Sequence, residues 1–587
     1  MTKRLLLVVF VIALIAAACS DDSSDTTTTT SGGDQPTTTT TTAAPGETTT
    51  TTAAPETTTT AAEVALQCPS EAGGGTVIIG TTDAIASLDT ADAYATRDWE
   101  ILKNFGEPLL KWVPGSADEL VPGIAAGMPV ASEDGLSWTI ALQEGLTFGD
   151  GSPLTADVAA AQLTRLLTIS ETGPNQVGLT LGNPYVDSIE AVDETTLQFN
   201  LPAPIAFFPQ LLASAAYIPP NPAIFTEGEL NIFPDAPLTG TGPWIVTEIV
   251  PDETLTLEPN PNYYGDAPSL DKVIVRQFAD PQSMALAVQS GEIDVAWRIL
   301  GAELANELGD VDGLNSVVVP AGPIRYLIIN HVLEPTNDPN VRKAIASVID
   351  RDELSDVIFG GAVDPLYSQV PPGFLGANEA FDAAYASPDL DEAKAYLEAS
   401  GYSEDNKLVL PVWYPPEHYG ATTADGVLLV VQQLEATGLI EVDVQAQEWG
   451  TYIGAVVSGE EYPVSVLGWF FDFPDPENYL QPFIENGGIG TMVTSKEGDI
   501  TPGVNPQLLE LLAASRIETD PTARAGILDE LQNVYADEVV TVPLWIEPEF
   551  IVYRDGVCGD ASLPNPESLN IGATMEFVYS VLGTDGS

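Results

Sequence analysis

The residues best placed to bind a ligand lie in the run GWFFDFPDPENY, residues 468–479. Trp469 offers a flat apolar face, and the carboxylate of Asp472 follows three residues later. A charge-assisted hydrogen bond to such a carboxylate contributes about 1.5–3 kcal/mol. The prolines in the run predict a loop and not a helix. The alternative is that the aromatic rings belong to the core and that Asp472 caps a turn.

Further candidates follow a predicted strand at residues 408–412. Trp413 and Tyr414 come at the carboxyl end of this strand, and ligands of open α/β sheets bind at that edge. His418 follows four residues after Tyr414 and is either a ligand contact or a solvated loop residue.

Catalytic and metal-binding motifs are missing from the sequence. It contains no Gly-x-Ser-x-Gly and no His-Glu-x-x-His. Its two histidines, His331 and His418, are far apart in the chain, and no Cys-x-x-Cys accompanies them. We therefore expect no catalytic residues, no metal and no cofactor. A secreted hydrolase remains the alternative of another class, because pairs of acidic residues suited to glycoside cleavage arise by chance among 85 acids.

The composition is strongly acidic. The chain of 587 residues has 85 Asp and Glu against 19 Lys and Arg, a formal net charge of −66. Binding of phosphate backbones requires clustered basic residues, so the composition excludes nucleic acid as a partner. The length allows a large core in at least two lobes.

The N-terminus predicts export. Lys3 and Arg4 precede an apolar run at residues 5–18, as in a secretory signal. Three alanines before Cys19 indicate a lipoprotein signal peptide over residues 1–19, with Cys19 as the lipidated residue; the alternative is an ordinary secretory peptide. The threonine-rich residues 20–63 have almost nothing to bury and predict a disordered tether.

The two other cysteines, Cys68 and Cys558, predict a disulfide, because an even pair in an oxidising compartment usually bridges. Cys68 precedes the first predicted strand and Cys558 follows the last apolar one, so a bridge would join the two ends of the fold. The alternative is two buried free thiols.

Residues 136–167 read as strand, turn, strand, turn and capped helix. Trp138, Ile140 and Leu142 alternate with polar neighbours. Asp150-Gly151 predicts a turn, and Thr155 predicts the cap of a helix.

This segment resembles the signature block of the family 5 solute-binding proteins, the receptors of peptide and nickel importers. It departs from the family pattern at Ala141, Gln143 and Gly149. Other segments are also similar to the family: SLD at 87–89, EPLL at 107–110, GTGPW at 240–244, NPNYYG at 260–265, GEID at 291–294 and DPNVRKAIASVIDRDEL at 338–354. The resemblance runs from about residue 75 to residue 550.

The resemblance implies an α/β, two-lobe fold of the periplasmic-binding-protein type, with an extra subdomain in lobe one and a hinge of two crossings. Lobe one would comprise residues 64–321 and 543–587, and lobe two residues 322–542.

The resemblance also implies a function. The protein would be a monomeric, extracytoplasmic lipoprotein of an ABC importer that captures an oligopeptide or dipeptide and delivers it to a permease with its ATPase subunits. Asp472 matches the acid that holds the ligand's amino group in peptide binders, and Trp449 and Trp469 would form apolar walls. Val466 stands where peptide binders often carry an arginine for the ligand carboxylate. An oligosaccharide or a nickel chelate remains the alternative solute.

Overall fold

The computed structural model describes the chain from Gly74 onward with several gaps. The described residues are 74–113, 119–172, 177–298, 300–319, 323–385, 387–416, 418–419, 421–459, 461–485, 493, 500–547, 549–559, 579 and 582–584. The predicted signal peptide, Cys19, the tether and Cys68 lie outside these residues.

Helices and strands alternate along most of the described chain. The strands are β1 (Thr76–Thr81), β2 (Leu110–Trp112), β3 (Leu120–Pro122), β4 (Val130–Ala131), β5 (Ser137–Ala141), β6 (Ser188–Ala191), β7 (Thr196–Asn200), β8 (Trp244–Val250), β9 (Thr254–Pro259), β10 (Lys272–Gln277), β11 (Val295–Trp297), β12 (Leu314–Val319), β13 (Ile324–Ile329), β14 (Asp364–Pro365), β15 (Leu408–Tyr414), β16 (Ile440–Ala446), β17 (Val464–Trp469), β18 (Thr541–Ile546), β19 (Glu549–Arg554), β20 (Val557–Gly559) and β21 (Leu582–Thr584).

The helices lie between these strands along the chain. They are α1 (Thr96–Phe105), α2 (Ala156–Thr172), α3 (Phe208–Leu211), α4 (Pro281–Ser290), α5 (Ala302–Gly309), α6 (Pro339–Ala346), α7 (Arg351–Glu353), α8 (Ala380–Tyr385), α9 (Leu390–Ala399), α10 (Ala421–Glu435), α11 (Trp449–Ser458), α12 (Pro476–Ile484), α13 (Gln507–Ile517) and α14 (Pro521–Glu538). Gly178–Gly182 and Leu354–Ile358 are π-helices, and Ala215–Tyr217 is a 3₁₀ turn.

Two large mixed sheets organise the described residues. One has seven strands in the order β12-β19-β11-β1-β10-β9-β8, and the other has six in the order β14-β18-β13-β17-β15-β16. Each has its own apolar core. We call the part around the seven-stranded sheet lobe one and the part around the six-stranded sheet lobe two. This is the predicted α/β, two-lobe fold.

Lobe one also carries a four-stranded antiparallel sheet in the order β4-β5-β7-β6. The segment at residues 136–167 supplies β5 and then α2, whose start is capped by the Thr155 hydroxyl accepting from the backbone N–H of Val158 at 3.4 Å. The second predicted strand of that segment is wrong. Around Phe148 the chain makes a tight turn with an isolated bridge between Thr147 and Pro153, because Pro153 has no N–H with which to continue a ladder.

The chain passes between the two sheets twice. The first crossing lies between the end of β12 and the start of β13, and the second lies between β18 and β19. β18 pairs with β13 over residues 541–546, inside the six-stranded sheet. The predicted boundary at residue 543 falls within this strand, so sheet pairing places the return crossing beyond Ile546.

Cys558 lies in β20 and is disulfide-bonded. Its predicted partner, Cys68, is outside the described residues, so the pairing itself stays a prediction.

A buried ion pair fixes the first loop of lobe one. Asp89 accepts two hydrogen bonds from the guanidinium of Arg165 in α2, at 2.9 and 2.7 Å, and both side chains are fully buried. The backbone N–H groups of Ala91 and Asn231 donate to the same carboxylate. The aspartate of the SLD segment is thus a structural anchor, with its charge paired and its oxygens satisfied.

We expect Asp89→Asn to lower the free energy of unfolding by roughly 3–5 kcal/mol, because it leaves the Arg165 guanidinium buried without a counter-charge. Urea unfolding measures the loss. The control is Glu258→Gln, which removes the half-exposed pair between Glu258 and Lys272 and should cost less than about 1 kcal/mol. Equal losses in the two variants would contradict the assignment.

Candidate functional site

A cavity of about 1410 Å³ lies between the lobes and is lined by residues of both. Lobe one contributes loops that follow β1 and β11, the start of α1 and a π-helix. Lobe two contributes β13, the end of β17, α11 and the second π-helix. The volume exceeds the ~300–1,000 Å³ of pockets for drug-sized ligands, and the wall mixes aromatic with charged side chains, so the cavity has room for a larger polar ligand.

The predicted ligand segment lies on this cavity. β17 ends at Trp469, and a short loop carries Asp472 before α12 starts at Pro476. The prediction of a loop over the whole run is wrong for its second half. Asp475 caps α12 and Pro476 occupies its first turn, a combination that favours a helix start.

Buried charge holds this loop in place. The carboxylate of Asp475 receives two hydrogen bonds of 2.6 Å from the guanidinium of Arg524 in α14. Phe473 leaves lobe two and stacks on Phe207 of the lobe one core, with ring centroids 5.3 Å apart and planes 9° apart. The loop is therefore fixed to α14 of lobe two and to lobe one at once.

Asp472 lies on the cavity wall and contacts both lobes. Asn478 donates to its carboxylate at 3.1 Å, and the hydroxyl of Tyr94, from lobe one, also donates to it. The indole of Trp469 donates to the amide oxygen of Asn478 at 3.0 Å, which orients the amide. Burial raises the pKa of Asp472 to about 6, and the bonds from Asn478 and Tyr94 oppose that rise.

Trp449 forms an aromatic wall with two neighbours. It opens α11, which Glu448 caps, and its ring lies parallel to the His418 imidazole with centroids 3.5 Å apart. Tyr419 meets the Trp449 indole edge-on. Burial, followed by the charge of Arg325, lowers the pKa of His418 to about 4, so the imidazole is neutral at pH 7. His418 also lines the cavity, as the ligand-contact alternative for this residue requires.

Trp413 and Tyr414 do not line the cavity, in contrast to the prediction. β15 is an inner strand with parallel neighbours on both sides, β16 and β17. The Trp413 ring stacks on Tyr462, with centroids 4.4 Å apart, and packs against the lobe two core. A position at the carboxyl end of a strand was therefore not enough to predict which side chains line the cavity.

The sequence analysis missed three buried arginines on the cavity wall: Arg97, Arg298 and Arg325. Each pairs with an acid. Arg97 pairs with Glu100, Arg298 with Asp83 and Arg325 with Glu547. A charged residue inside the apolar run of β13, such as Arg325, is the signal that could have found one of them.

Three neighbours fix the side chain of Arg325. It forms an ion pair of 2.6 Å with Glu547, and its guanidinium lies over the Tyr419 ring at 4.1 Å. Gly468 is its strand partner on β17, and the Tyr419 hydroxyl accepts from the Gly468 N–H at 2.9 Å. A Cβ on Gly468 would lie 2.3 Å from Nη1 of Arg325, so only glycine leaves room for the guanidinium.

Both π-helices reach the cavity. Thr180, within Gly178–Gly182, lines it from lobe one, and Ile358, at the end of Leu354–Ile358, lines it from lobe two. Single π-turns occur frequently at functional sites, since the extra residue shifts the direction of side chains.

Comparison with solved structures identifies the fold. The substrate-binding protein CtaP of an ABC transporter from Listeria monocytogenes superposes with a TM-score of 0.73 at 24% identity, over 87% of this chain and all of that chain. DppA from Helicobacter pylori, in complex with the peptide STSA, gives a TM-score of 0.70 at 21% identity, over 88% of this chain and 99% of that one. The fold, with its cavity between two lobes, is that of these ABC transporter substrate-binding proteins.

Sequence comparison gives the family. The model of the bacterial extracellular solute-binding proteins, family 5, matches residues 119–491. The oligopeptide-binding protein OppA of Bacillus subtilis is 26% identical over 448 residues, 73% of this chain and 80% of that protein. The probable D,D-dipeptide-binding protein DdpA of Escherichia coli is 27% identical over 484 residues, 80% of this chain and 88% of that protein. The chain belongs to family 5 and is a transport receptor, not an enzyme.

The described residues contain no cluster of three or more His, Cys, Asp or Glu side chains arranged to hold a metal ion. No helix in that part of the chain is both long and apolar enough to cross a bilayer.

We expect Gly468→Ala to lower the free energy of unfolding by about 1–3 kcal/mol, because the new methyl group must displace the packed Arg325 guanidinium. Chemical denaturation measures it. The control is Gly454→Ala in α11, where a Cβ meets nothing within 4 Å and where alanine should stabilise by about 0.5–1 kcal/mol. A neutral effect of Gly468→Ala would rule out the steric role of this glycine.

Proposed function

We propose that this receptor captures a peptide between its lobes and delivers it to an ABC permease. The observation that carries the proposal is the position of Asp472, half-buried on the cavity wall beside Trp469 and within reach of both lobes. The ligand's terminal ammonium binds the Asp472 carboxylate, and the indoles of Trp449 and Trp469 form the apolar walls. The relatives OppA and DdpA, which bind an oligopeptide and a D,D-dipeptide by name, and the DppA complex with the peptide STSA support a peptide as the ligand.

The lobes close about the two crossings and trap the peptide. A ligand that touches both lobes favours the closed form by its differential affinity for that form, and the permease then recognises it. The lipid on Cys19 and the threonine-rich tether hold the receptor at the outer face of the cytoplasmic membrane. We propose that it acts as a monomer, with lobe limits close to those predicted from the sequence.

We expect Asp472→Asn to weaken peptide binding at least tenfold at pH 7.5, because the variant loses a charge-assisted hydrogen bond to the ammonium group. Asp472 has a raised pKa of about 6, and the ammonium requires its ionised form. Affinity of the parent should therefore fall as pH falls through about 6, whereas the variant should show no such fall. Calorimetric titration of an alanine tripeptide at pH 5 to 8 tests both points.

The matched control is Asp443→Asn, which neutralises an exposed carboxylate on β16 outside the cavity and should leave affinity unchanged. Unchanged binding in Asp472→Asn, with the same pH profile as the parent, would remove Asp472 from the site and favour an uncharged solute such as an oligosaccharide.

We expect the full-length protein to become more compact when a tight peptide binds, because closure brings the lobes together over the cavity. X-ray scattering of the same preparation with and without the peptide measures the radius of gyration, and the tether contributes equally to both. An identical radius of gyration in the two states would contradict closure.

A further inference from the structure

The floor of the cavity at the hinge is a cluster of charges in which the arginines are buried and the acids are half-buried. We call Asp83, Arg298, Arg325, Glu547 and Glu549 the hinge floor. They come from the segments that follow β1 and β11 in lobe one, from β13 in lobe two, from the return crossing and from the start of β19, and all of them line the cavity.

The hinge floor has one carboxylate more than it has cations. Arg298 pairs with Asp83 at 2.6 Å, and Arg325 pairs with Glu547 at 2.6 Å. Glu549 remains: among the described residues, none forms a hydrogen bond or an ion pair with its carboxylate. A half-buried carboxylate without a partner is costly, and it gains from any cation that enters the cavity.

The electrostatic surroundings of Glu549 agree with this count. Burial raises its pKa to about 7, Arg298 and Arg325 lower it, and Glu547 and Asp83 raise it again. Both arginines are already paired with other carboxylates. They therefore stabilise the ionised form of Glu549 only in part, and the carboxyl is not fully ionised at neutral pH. A ligand cation would supply the missing charge.

A second observation concerns hydrogen-bond donors. Among the described residues, Nη1 of Arg298, Nε of Arg325 and both Nε and Nη2 of Arg97 have no hydrogen-bond partner, although these side chains are at least 96% buried and line the cavity. Buried donors of this kind require an acceptor. Because Asp83, Glu547 and Glu100 already match the three positive charges, an uncharged acceptor such as a peptide carbonyl suits them better than a further carboxylate.

We propose that the cavity selects a peptide with a positively charged side chain, lysine or arginine, whose cation binds Glu549 while backbone carbonyls accept from the free arginine N–H groups. This inference rests on the proposed function and names its substrate class. Asp472 lies in the loop after β17 and is hydrogen-bonded to Asn478 and Tyr94, whereas Glu549 begins β19 in the hinge floor, and we assign the two carboxylates to different parts of the cavity. One would hold the amino terminus, and the other would hold the basic side chain.

The test is calorimetric titration of the full-length protein at pH 7.5 with alanine-based tripeptides and tetrapeptides. Each carries lysine, norleucine or glutamate at the second or third position; norleucine has the length of lysine without its charge. We expect a lysine peptide to bind at least tenfold more tightly than its norleucine counterpart, and the glutamate peptide to bind most weakly. Glu549→Gln should remove the preference for lysine while changing norleucine affinity less than threefold.

The matched variant is Glu307→Gln. Glu307 is an exposed acid on α5, near the cavity wall in the chain but not part of the cavity lining. We expect it to change the lysine preference less than threefold, because water screens an exposed charge. Equal effects of the two variants would mean that the preference comes from the general acidity of the protein and would overturn the assignment to Glu549.

Proton release gives an independent readout. A bound cation stabilises the ionised Glu549, so a carboxyl with a pKa of about 7 should release roughly half a proton at pH 7 when a lysine peptide binds. The measured enthalpy should then differ between phosphate and Tris buffers by that fraction of their ionisation enthalpies, and Glu549→Gln should abolish the difference. Affinity for lysine peptides should rise between pH 6 and pH 8.

The outcomes separate this inference from the function on which it rests. Equal binding of lysine and norleucine peptides, without proton release, would overturn the charge selection and leave peptide capture intact. Failure of every peptide in the set to bind would overturn both.

Discussion

The rest of the structure depends on the ion pair between Arg325 and Glu547, which joins β13 to the segment that follows β18. Arg325 lies at the start of β13, just after the first crossing, and Glu547 lies at the return crossing. The backbone N–H of Glu547 also donates to the carbonyl of Pro323 at 3.0 Å. The hinge is therefore a pair of adjacent segments linked by an ion pair in which Arg325 is buried and the Glu547 side chain is 33% exposed. Removing one partner of a fully buried pair typically costs about 3–5 kcal/mol, and the cost here is smaller because water reaches Glu547.

The same guanidinium organises the wall of the cavity. It lies over Tyr419, whose hydroxyl accepts from Gly468, and it helps to keep His418 neutral and stacked on Trp449. Other loops follow the same principle: Arg165 holds Asp89, and Arg524 holds Asp475. The chain has only 19 Lys and Arg against 85 Asp and Glu, and several of the arginines are buried inside the fold, so the surface is left largely to acidic residues. The acidity is thus a property of the surface, and the ligand meets a different balance of charge.

Local patterns in the sequence predicted the parts of the fold that local chemistry decides. Asp150-Gly151 makes the predicted turn, with Gly151 in the left-handed conformation, and Thr155 caps α2, because turn and cap residues act within a few positions. The sequence also indicated Asp472, Trp469 and Trp449 as candidate ligand-binding residues, and the fold brings all three to one cavity. It could not exclude Trp413, because burial of its ring depends on Tyr462, almost fifty residues away in the chain. Nor could it find the hinge floor, whose members come from both lobes and meet only through the two crossings.

In the proposed function, binding and closure are coupled through Asp472. Its carboxylate accepts from Asn478 in its own lobe and from Tyr94 in the other. An ionised carboxylate has about four acceptor sites on its two oxygens, so a ligand ammonium can bind without displacing either donor. A bound cation favours the ionised form of Asp472, and the ionised form is the stronger acceptor for the Tyr94 hydroxyl. The ligand would therefore strengthen a hydrogen bond between the lobes without touching Tyr94, and this bond would add to the contacts that hold the lobes closed.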